Sequence, residues 1–209
     1  MPELHQEILR PPQRKLWEIL QHDAGLFRSQ GFILAGGTAL ALQIGHRESH
    51  DFDFFSQTPG VEPVWCWIER FPEVIIRDAD ADTFHADVAG VKLSFIAGYR
   101  YPFLMPVVTA GALAMASIVD IGLMKMLAIT HRGTLRDYLD LAVILRDHCP
   151  LELLIEKSAI KYGPRFNVML ALRTMVHFDD LDEEMPVVLD RTLAASWRQI
   201  LQQAVRNVA

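Results

Sequence analysis

The chain has 209 residues, of which 51% are hydrophobic, so it can bury a core as one compact unit or as two small ones. Its 26 acidic and 20 basic residues give a formal net charge of −6, which opposes non-specific binding of nucleic acid. No segment reaches the roughly 20 apolar residues of a membrane helix, and the charged, proline-containing start of the chain excludes a secretion signal, so we expect a cytoplasmic protein.

The first half of the chain alternates between helical and strand patterns. Residues 4–30 carry apolar side chains at helical spacing and predict a helix that Gly31 ends. The apolar run 32–35 predicts a buried strand, and the polar–aromatic alternation of 51–55 predicts another. Between them, residues 39–44 are strong helix formers. The other predicted elements are a helix at 61–71, strands at 73–77 and 91–97, and an irregular connector at 101–111.

From Ser117 onward the pattern is helical throughout. Two helix starts match the capping-box signature, namely Ser117 with Asp120 and Thr134 with Asp137. Gly133 between them matches a helix end. The sequence therefore predicts an α+β fold, with an α/β core over residues 1–110 and a helical domain over residues 111–209.

Asp51 and Asp53 form the most informative pair of residues. Alternate residues of a strand point to the same face, about 6.6 Å apart along it. The two carboxylates can therefore share one or two Mg²⁺ ions, while Phe52 and Phe54 fill the core from the opposite face. The competing interpretation of so short a motif is an exposed strand that carries two acids without a ligand.

The turn that precedes the helix at 39–44 supplies the context for this pair. Gly36 and Gly37 let the main chain approach a triphosphate closely, and free N–H groups at the helix start can receive phosphate. The hydroxyl of Thr38 adds one more donor. The structural alternatives are a tight turn for the glycines and an N-terminal cap for Thr38. Together with the acidic strand that follows, the turn predicts a site for a metal and a nucleotide.

Lys125 is the second unusual residue, because the helix predicted around it is apolar on almost every side. A buried lysine requires a counter-charge. Its ammonium can reach the β- and γ-phosphates of a nucleotide, or it can pair with a structural carboxylate or extend to solvent. The structural interpretation of Asp137 is a capping-box acid, and that of Asp140 is an i,i+4 partner of Arg136.

Two longer motifs contain these residues. The first consists of Gly36-Gly37-Thr38-Ala39-Leu40-Ala41-Leu42, His46-Arg47, Ser49 and Asp51-Phe52-Asp53-Phe54-Phe55. The second consists of Ile118, Asp120-Ile121, Met124-Lys125, Ala128-Ile129, Arg132-Gly133, Asp137-Tyr138 and Asp140-Leu141. Together they resemble the AbiEii/AbiGii-type nucleotidyltransferase toxins of the DNA polymerase β-like superfamily. The strand at 90–95 and the stretch at 177–180 are also similar to members, so the likeness spans residues 30–185.

The resemblance implies a polymerase β-like nucleotidyltransferase core, a small mixed sheet with helices, followed by a helical domain that completes the active-site cleft. It also implies roles for seven residues: metal binding by Asp51 and Asp53, nucleotide binding by Gly36, Gly37, Thr38 and Lys125, and catalysis by Asp51, Asp53, Lys125 and Asp137. The implied metal is Mg²⁺ or Mn²⁺.

The activity implied by the resemblance is transfer of a nucleoside monophosphate from a nucleoside triphosphate to an acceptor hydroxyl. In some members of the family the acceptor is the 3′ end of tRNA. The implied biological role is that of the toxin in a type IV-like toxin–antitoxin system, in which a partner antitoxin with a winged-helix domain neutralises the enzyme.

One departure from the family pattern lies in the strand predicted at 91–97, which carries Ser94 where many related enzymes have a third carboxylate. The alternative function is therefore a non-catalytic nucleotide-binding or partner-binding module of the same fold. A glycosyltransferase that uses an Asp-x-Asp motif is disfavoured by the strand–glycine–helix turn. The pattern assigns no role to His46, Arg47 or His50.

Overall fold

The computed structural model describes residues 4–179, 181 and 185–208, which divide into two compact units. The first, called here the sheet unit, contains the chain up to Ile44 together with Ser49–Pro102 and Pro106–Ala116. The second, called the helical unit, contains Gly45–Glu48, Phe103–Met105 and the chain from Ser117 onward. Two short segments from the first half of the chain therefore belong to the unit that the second half forms.

Among the described residues, the α-helices of the sheet unit are α1 (Pro11–His22), α2 (Ala24–Ser29), α3 (Gly36–Ile44) and α4 (Glu62–Ile68). The single helix predicted over residues 4–30 is wrong. A 3-10 turn at Gln6–Ile8 precedes α1, and Asp23 separates α1 from α2. Pro11 and Pro12 set the start of α1, because proline lacks an N–H group and fits only the first turn of a helix.

The strands of the sheet unit are β1 (Ile33–Ala35), β2 (Asp51–Phe55), β3 (Val74–Ala79), β4 (Thr83–Val88), β5 (Val91–Ile96), β6 (Val108–Ala110) and β7 (Leu113–Met115). They form one mixed sheet with the order β3-β4-β5-β2-β1-β7-β6. β2 pairs antiparallel with β1 and parallel with β5. The strand predicted at 51–55 is confirmed with the same bounds, and those predicted at 32–35, 73–77 and 91–97 are confirmed to within two residues.

The sequence did not predict β4, β6 or β7. β6 and β7 form a hairpin that begins within the region predicted as an irregular connector. Gln21 of α1 holds this hairpin: its Nε2 donates to the carbonyl of Ala110 at 2.8 Å, and its Oε1 accepts from the N–H of Ala112 at 2.6 Å. Strands of three residues carry little local signal, so bonds to distant residues decide where they form.

β3 is the outer strand at one side of the sheet, and its pairing with β4 shifts register between Ile76 and Asp78. Ile75 is 55% exposed and Ile76 is 43% exposed. Arg77 lies at the irregularity and forms an ion pair with Asp87 of β4 at 3.1 Å.

The two faces of the sheet differ in burial. Phe52 and Phe54 of β2 and Phe95 of β5 are fully buried, and the ring of Phe27 from α2 stacks on those of Phe54 and Phe95. Such aromatic layers contribute much of the apolar area that a core removes from water. The opposite face carries half-buried side chains at positions 51, 53 and 55 of β2. The predicted alternation is therefore observed, with aromatic rings in the core and acids on the open face.

The helices of the described helical unit are α5 (Ile118–Ile129), α6 (Leu135–Asp147), α7 (Leu151–Tyr162), α8 (Val168–Met175) and α9 (Arg191–Val208). Both predicted helix starts are confirmed. Ser117 Oγ accepts from the N–H of Asp120 at 2.9 Å, and Thr134 forms a reciprocal capping box with Asp137.

The uninterrupted helical pattern predicted after Ser117 is wrong between α8 and α9. Val188 there forms an antiparallel bridge with Arg47, and Val187 accepts a hydrogen bond from the N–H of Glu48 at 2.9 Å. Of the stretch at 177–180, residue 180 lies outside the described residues. None of the helices in the described ranges has the length and apolar character needed to cross a membrane.

Candidate metal and nucleotide site

Asp51 and Asp53 lie two residues apart on the half-buried face of β2. Asp53 is paired with Ala35, the last residue of β1, and with Ser94 on β5. Because Gly36 follows Ala35 directly, this register places Asp53 beside the start of α3. The acidic pair and the glycine turn that were predicted to act together are therefore neighbours within the sheet unit.

Gly36 and Asp53 are in direct contact. A Cβ atom on Gly36 would lie 2.8 Å from Oδ2 of Asp53, which is closer than real Cβ contacts allow. Gly36 also has a φ of 73°, in the left-handed region that residues with side chains rarely adopt. Glycine is therefore required at this position for two independent reasons. Gly37 is half-buried in the first turn of α3.

The Thr38 side chain is buried and links α3 to β2. Its hydroxyl is hydrogen-bonded to Ser49 Oγ at 2.9 Å and donates to the main-chain carbonyl of Asp51. Nε2 of Gln13 from α1 donates to the carbonyl of Ser49 at 2.8 Å. These bonds fix the start of β2. They leave the main-chain N–H groups at the start of α3 as the donors that this turn offers to a phosphate.

The residues on this face fit a magnesium-type ion. Carboxylate oxygens are the hard ligands that Mg²⁺ prefers, and Mg²⁺ is usually held by one or two carboxylates with substrate phosphates and water in its other positions. Over the described ranges, no group of three or more histidine, cysteine, aspartate or glutamate side chains forms a preassembled metal site. As a pair of carboxylates, Asp51 and Asp53 can supply the protein ligands of a magnesium-type ion that also binds phosphate and water.

The neighbouring strand supplies no third carboxylate to this pair. Ser94 of β5 is paired with Asp53 across the two strands. On the other side of β5, Ser94 is paired with His85 of β4. Asp87 of β4 is paired with Lys92 across the strands and forms an ion pair with Arg77. The departure expected from the sequence at position 94 is therefore observed in the sheet.

Lys125 and Asp137 are brought together within the helical unit. Nζ of Lys125 lies 2.8 Å from Oδ1 of Asp137, and the hydroxyl of Thr134 donates to Oδ2 of Asp137 at 2.7 Å. Asp137 is therefore both a capping-box acid and a partner of the lysine. The counter-charge that a buried lysine requires is present.

Asp140 is fully buried at the centre of this cluster. Arg47 donates two hydrogen bonds to its carboxylate, from Nε to Oδ1 at 2.6 Å and from Nη2 to Oδ2 at 2.7 Å. His46 Nε2 lies 2.7 Å from Oδ1, and Lys125 Nζ lies 2.7 Å from Oδ2. Within the described chain, Asp140 forms no ion pair with Arg136, which is exposed, so the predicted i,i+4 pair is wrong. The presence of His46 and Arg47 in the first motif is the one sequence signal for these contacts.

The charges of the cluster balance. Burial disfavours ionisation of Asp140, but the adjacent Arg47 and Lys125 hold the pKa of that carboxyl well below its usual range. Burial also disfavours the ammonium of Lys125, yet Asp140 and Asp137 raise its pKa above the usual value. Burial lowers the pKa of His46, so its imidazole is neutral. Two cations therefore face two anions. Because an ionised carboxylate only accepts, His46 donates from Nε2.

A protein-family model described as "Nucleotidyl transferase AbiEii toxin, Type IV TA system" matches residues 18–111. The uncharacterized protein aq_aa25 of Aquifex aeolicus is 32% identical over 182 residues, which cover 85% of this chain and 88% of that protein. The chain belongs to the AbiEii nucleotidyltransferase toxin family. The matched part of the chain contains the glycine turn and both acids of β2.

Two solved structures share the fold of this AbiEii chain. MenT4, a nucleotidyltransferase toxin of Mycobacterium tuberculosis, has a TM-score of 0.59 at 15% identity, covering 92% of this chain and 82% of its own. A putative nucleotidyltransferase of Helicobacter pylori has a TM-score of 0.56 at 16% identity, covering 96% and 97% of the two chains. The predicted α+β nucleotidyltransferase fold with C-terminal helices is therefore confirmed.

Proposed function

We propose that this AbiEii protein transfers a nucleoside monophosphate from a nucleoside triphosphate to an acceptor hydroxyl, with a divalent cation bound by Asp51 and Asp53. The observation that carries this proposal is the contact between Asp53 and Gly36, which joins an acidic pair to a helix start able to bind phosphate. A pair of carboxylates alone would repel each other. A cation and a polyphosphate bound together remove that repulsion.

In the proposed reaction, the acceptor oxygen forms a bond to the α-phosphorus while the bond between the α- and β-phosphates breaks and pyrophosphate leaves. The cation, when bound, supplies positive charge to the phosphoryl oxygens as negative charge develops there. Asp51 and Asp53 position the cation, and the N–H groups at the start of α3 bind phosphate oxygens. The acceptor proton passes to water, because Ser94 occupies the place of a third carboxylate.

The remaining assignments rest on the match of the second motif to the family pattern. We assign Lys125 as the cationic contact of the triphosphate and Asp137 as the acid that holds it. The proposed acceptor is an RNA, with the 3′ end of tRNA as the first candidate. The proposed partner is an antitoxin with a winged-helix domain, and the proposed location is the cytoplasm.

The test is transfer of label from each of the four α-³²P-labelled nucleoside triphosphates to total RNA in the presence of Mg²⁺. We expect one nucleotide to be incorporated by the natural protein and none by the isosteric double variant Asp51→Asn/Asp53→Asn. The matched control is Asp78→Asn, which removes an exposed acid from β3 and should retain full transfer. Label transfer that persists in the double variant would refute the proposed site.

The absence of a carboxylate at position 94 favours one alternative, a module that binds nucleotide without transferring it. The two functions differ in a single comparison. If the natural protein binds a nucleoside triphosphate in a Mg²⁺-dependent manner but labels no RNA with any of the four nucleotides, the alternative holds. Incorporation that depends on Asp51 and Asp53 excludes it.

A further inference from the structure

Each of the two carboxylate oxygens of Asp140 is bonded to two surrounding side-chain groups. Oδ1 is bonded to Arg47 Nε and His46 Nε2, and Oδ2 is bonded to Arg47 Nη2 and Lys125 Nζ, all at 2.6–2.7 Å. The bidentate fork of Arg47 fixes the orientation of the carboxylate in a way that a lysine in its place would not. The orientation of the Asp140 carboxylate therefore determines where the ammonium of Lys125 lies.

Lys125 uses two of its three N–H donors inside this cluster. One is directed to Oδ1 of Asp137 at 2.8 Å and one to Oδ2 of Asp140 at 2.7 Å. The Lys125 side chain is 10% exposed, so part of it reaches the surface of the helical unit. An ammonium has three donors and no acceptor, and the third donor is the one that a phosphate oxygen can use.

The helical unit contains a second buried lysine pair that provides a contrast. Nζ of Lys161 lies 2.9 Å from Oδ1 of Asp120, both side chains are fully buried, and the ring of Phe103 covers the ammonium at 4.9 Å. Asp120 also accepts from the N–H groups of Leu104 and Met105 at 2.9 Å. The Lys161 and Asp120 side chains are therefore fully enclosed, whereas the Lys125 side chain is partly exposed.

We propose that Asp140, oriented by Arg47 and His46, is a positioning residue that holds the Lys125 ammonium for a triphosphate. This inference rests on the proposed function, because it requires Lys125 to contact the phosphates. It gives His46 and Arg47 a role that the sequence did not assign. It also predicts that Asp140 acts only through Lys125, so the effects of changing the two residues on phosphate binding should not add.

The experiment measures binding of Mg²⁺-tripolyphosphate, a base-independent probe, by titration calorimetry, with thermal unfolding recorded in parallel. The variants are Asp140→Asn, Lys125→Met, their combination, and the matched control Asp120→Asn, which breaks the other buried pair. We expect Asp140→Asn to weaken binding about tenfold, the combination to bind no more weakly than Lys125→Met, and Asp120→Asn to lower the melting temperature with affinity changed less than about twofold.

Either of two results with the Asp140 variants would overturn the inference: an affinity of Asp140→Asn within about twofold of the natural protein, or losses that multiply in the combination. If Asp140→Asn does not fold, Arg47→Lys replaces it, since this change keeps the charge and removes the fork; unchanged affinity there overturns the inference equally. A natural protein that neither binds tripolyphosphate nor labels RNA refutes the proposed function instead. Normal binding by Lys125→Met, with transfer still dependent on Asp51 and Asp53, refutes this inference alone.

Discussion

Oδ2 of Asp53 lies 2.8 Å from the place that a Cβ atom of Gly36 would occupy. The acid and the glycine therefore define one another's position: the missing side chain makes room for the carboxylate at the start of α3. This contact spans 17 positions of sequence and depends on the antiparallel register that pairs Asp53 with Ala35. It is the point at which the glycine turn and the acidic strand meet.

Replacing Gly36 with alanine should disturb both the backbone and the acid. The left-handed φ costs a residue with a side chain about 1–2 kcal/mol, and the new methyl group must displace Asp53. We expect a lower free energy of unfolding in urea and a higher Mg²⁺ concentration for half-maximal label transfer. The control is Gly25→Ala in α2, where no atom lies within 4 Å of the added Cβ and the helix should gain about 0.5–1 kcal/mol. An unchanged Mg²⁺ requirement in Gly36→Ala would contradict the role given to this contact.

Replacing Thr38 with valine removes the hydroxyl and keeps the shape. The buried carbonyl of Asp51 and the Ser49 hydroxyl then lose a partner, which costs about 1–3 kcal/mol. We expect a corresponding fall in unfolding free energy and slower transfer, because the start of β2 is no longer fixed. Thr38→Ser restores the hydroxyl and should recover most of both quantities. If serine fails to recover transfer, the threonine acts through its methyl group and not through the bond to β2.

Replacing Ser94 with aspartate would place a carboxylate directly beside Asp53 on β5. A third acid can accept the acceptor proton and add a metal ligand, so we expect faster label transfer at saturating Mg²⁺. Without the cation, three neighbouring acids repel one another, and the melting temperature should therefore depend more strongly on Mg²⁺ than in the natural protein. Ser94→Asn is the uncharged control. Equal rates for the two variants would show that charge at this position is irrelevant.

The buried imidazole of His46 should make stability depend on pH. Burial lowers its pKa below the usual value of about 6.5, against the bond to Asp140, which raises it. The unfolded chain therefore binds a proton more readily than the folded one. The stability that His46 contributes is fully present above about pH 6.5 and is lost as the pH falls from there toward the folded pKa.

The measurement is the free energy of unfolding in urea for the natural protein and for His46→Gln. The pH runs from about 7.5 to about 5, which is on the order of one unit either side of the usual histidine pKa. The natural protein should lose more stability on acidification than the variant. His131→Gln, which replaces an exposed histidine, should follow the natural curve. Parallel curves for His46→Gln and the natural protein would mean that the buried imidazole does not titrate in this range.

The features that the sequence predicted correctly are local ones. The alternation of 51–55 fixes the faces of β2, and the spacing of Thr134 and Asp137 fixes the start of α6, because both depend on neighbours within five residues. The partners of Asp140 lie 93 and 94 positions away in Arg47 and His46. A rule based on i,i+4 spacing therefore selected Arg136, which the fold leaves exposed.

The same distinction explains Thr38. A hydroxyl at the start of a helix is expected to cap it or to bind a ligand, whereas the fold places Ser49 and the Asp51 carbonyl within its reach. The missed strands β6 and β7 likewise depend on Gln21, about 90 positions earlier in the chain. Motif matches select the candidate residues of the site, whereas the bonds that these residues form depend on the fold.

The irregular pairing of β3 affects the tendency of the protein to aggregate. An outer strand presents main-chain groups along its free side, and two exposed isoleucines make that side attractive to a strand of another copy. The register shift between Ile76 and Asp78, with the charge of Arg77 at its centre, interrupts the regular strand edge that pairing with another copy needs. If Arg77 is deleted, β3 should pair with β4 without the register shift, and we expect copies of the chain to associate more readily along this strand.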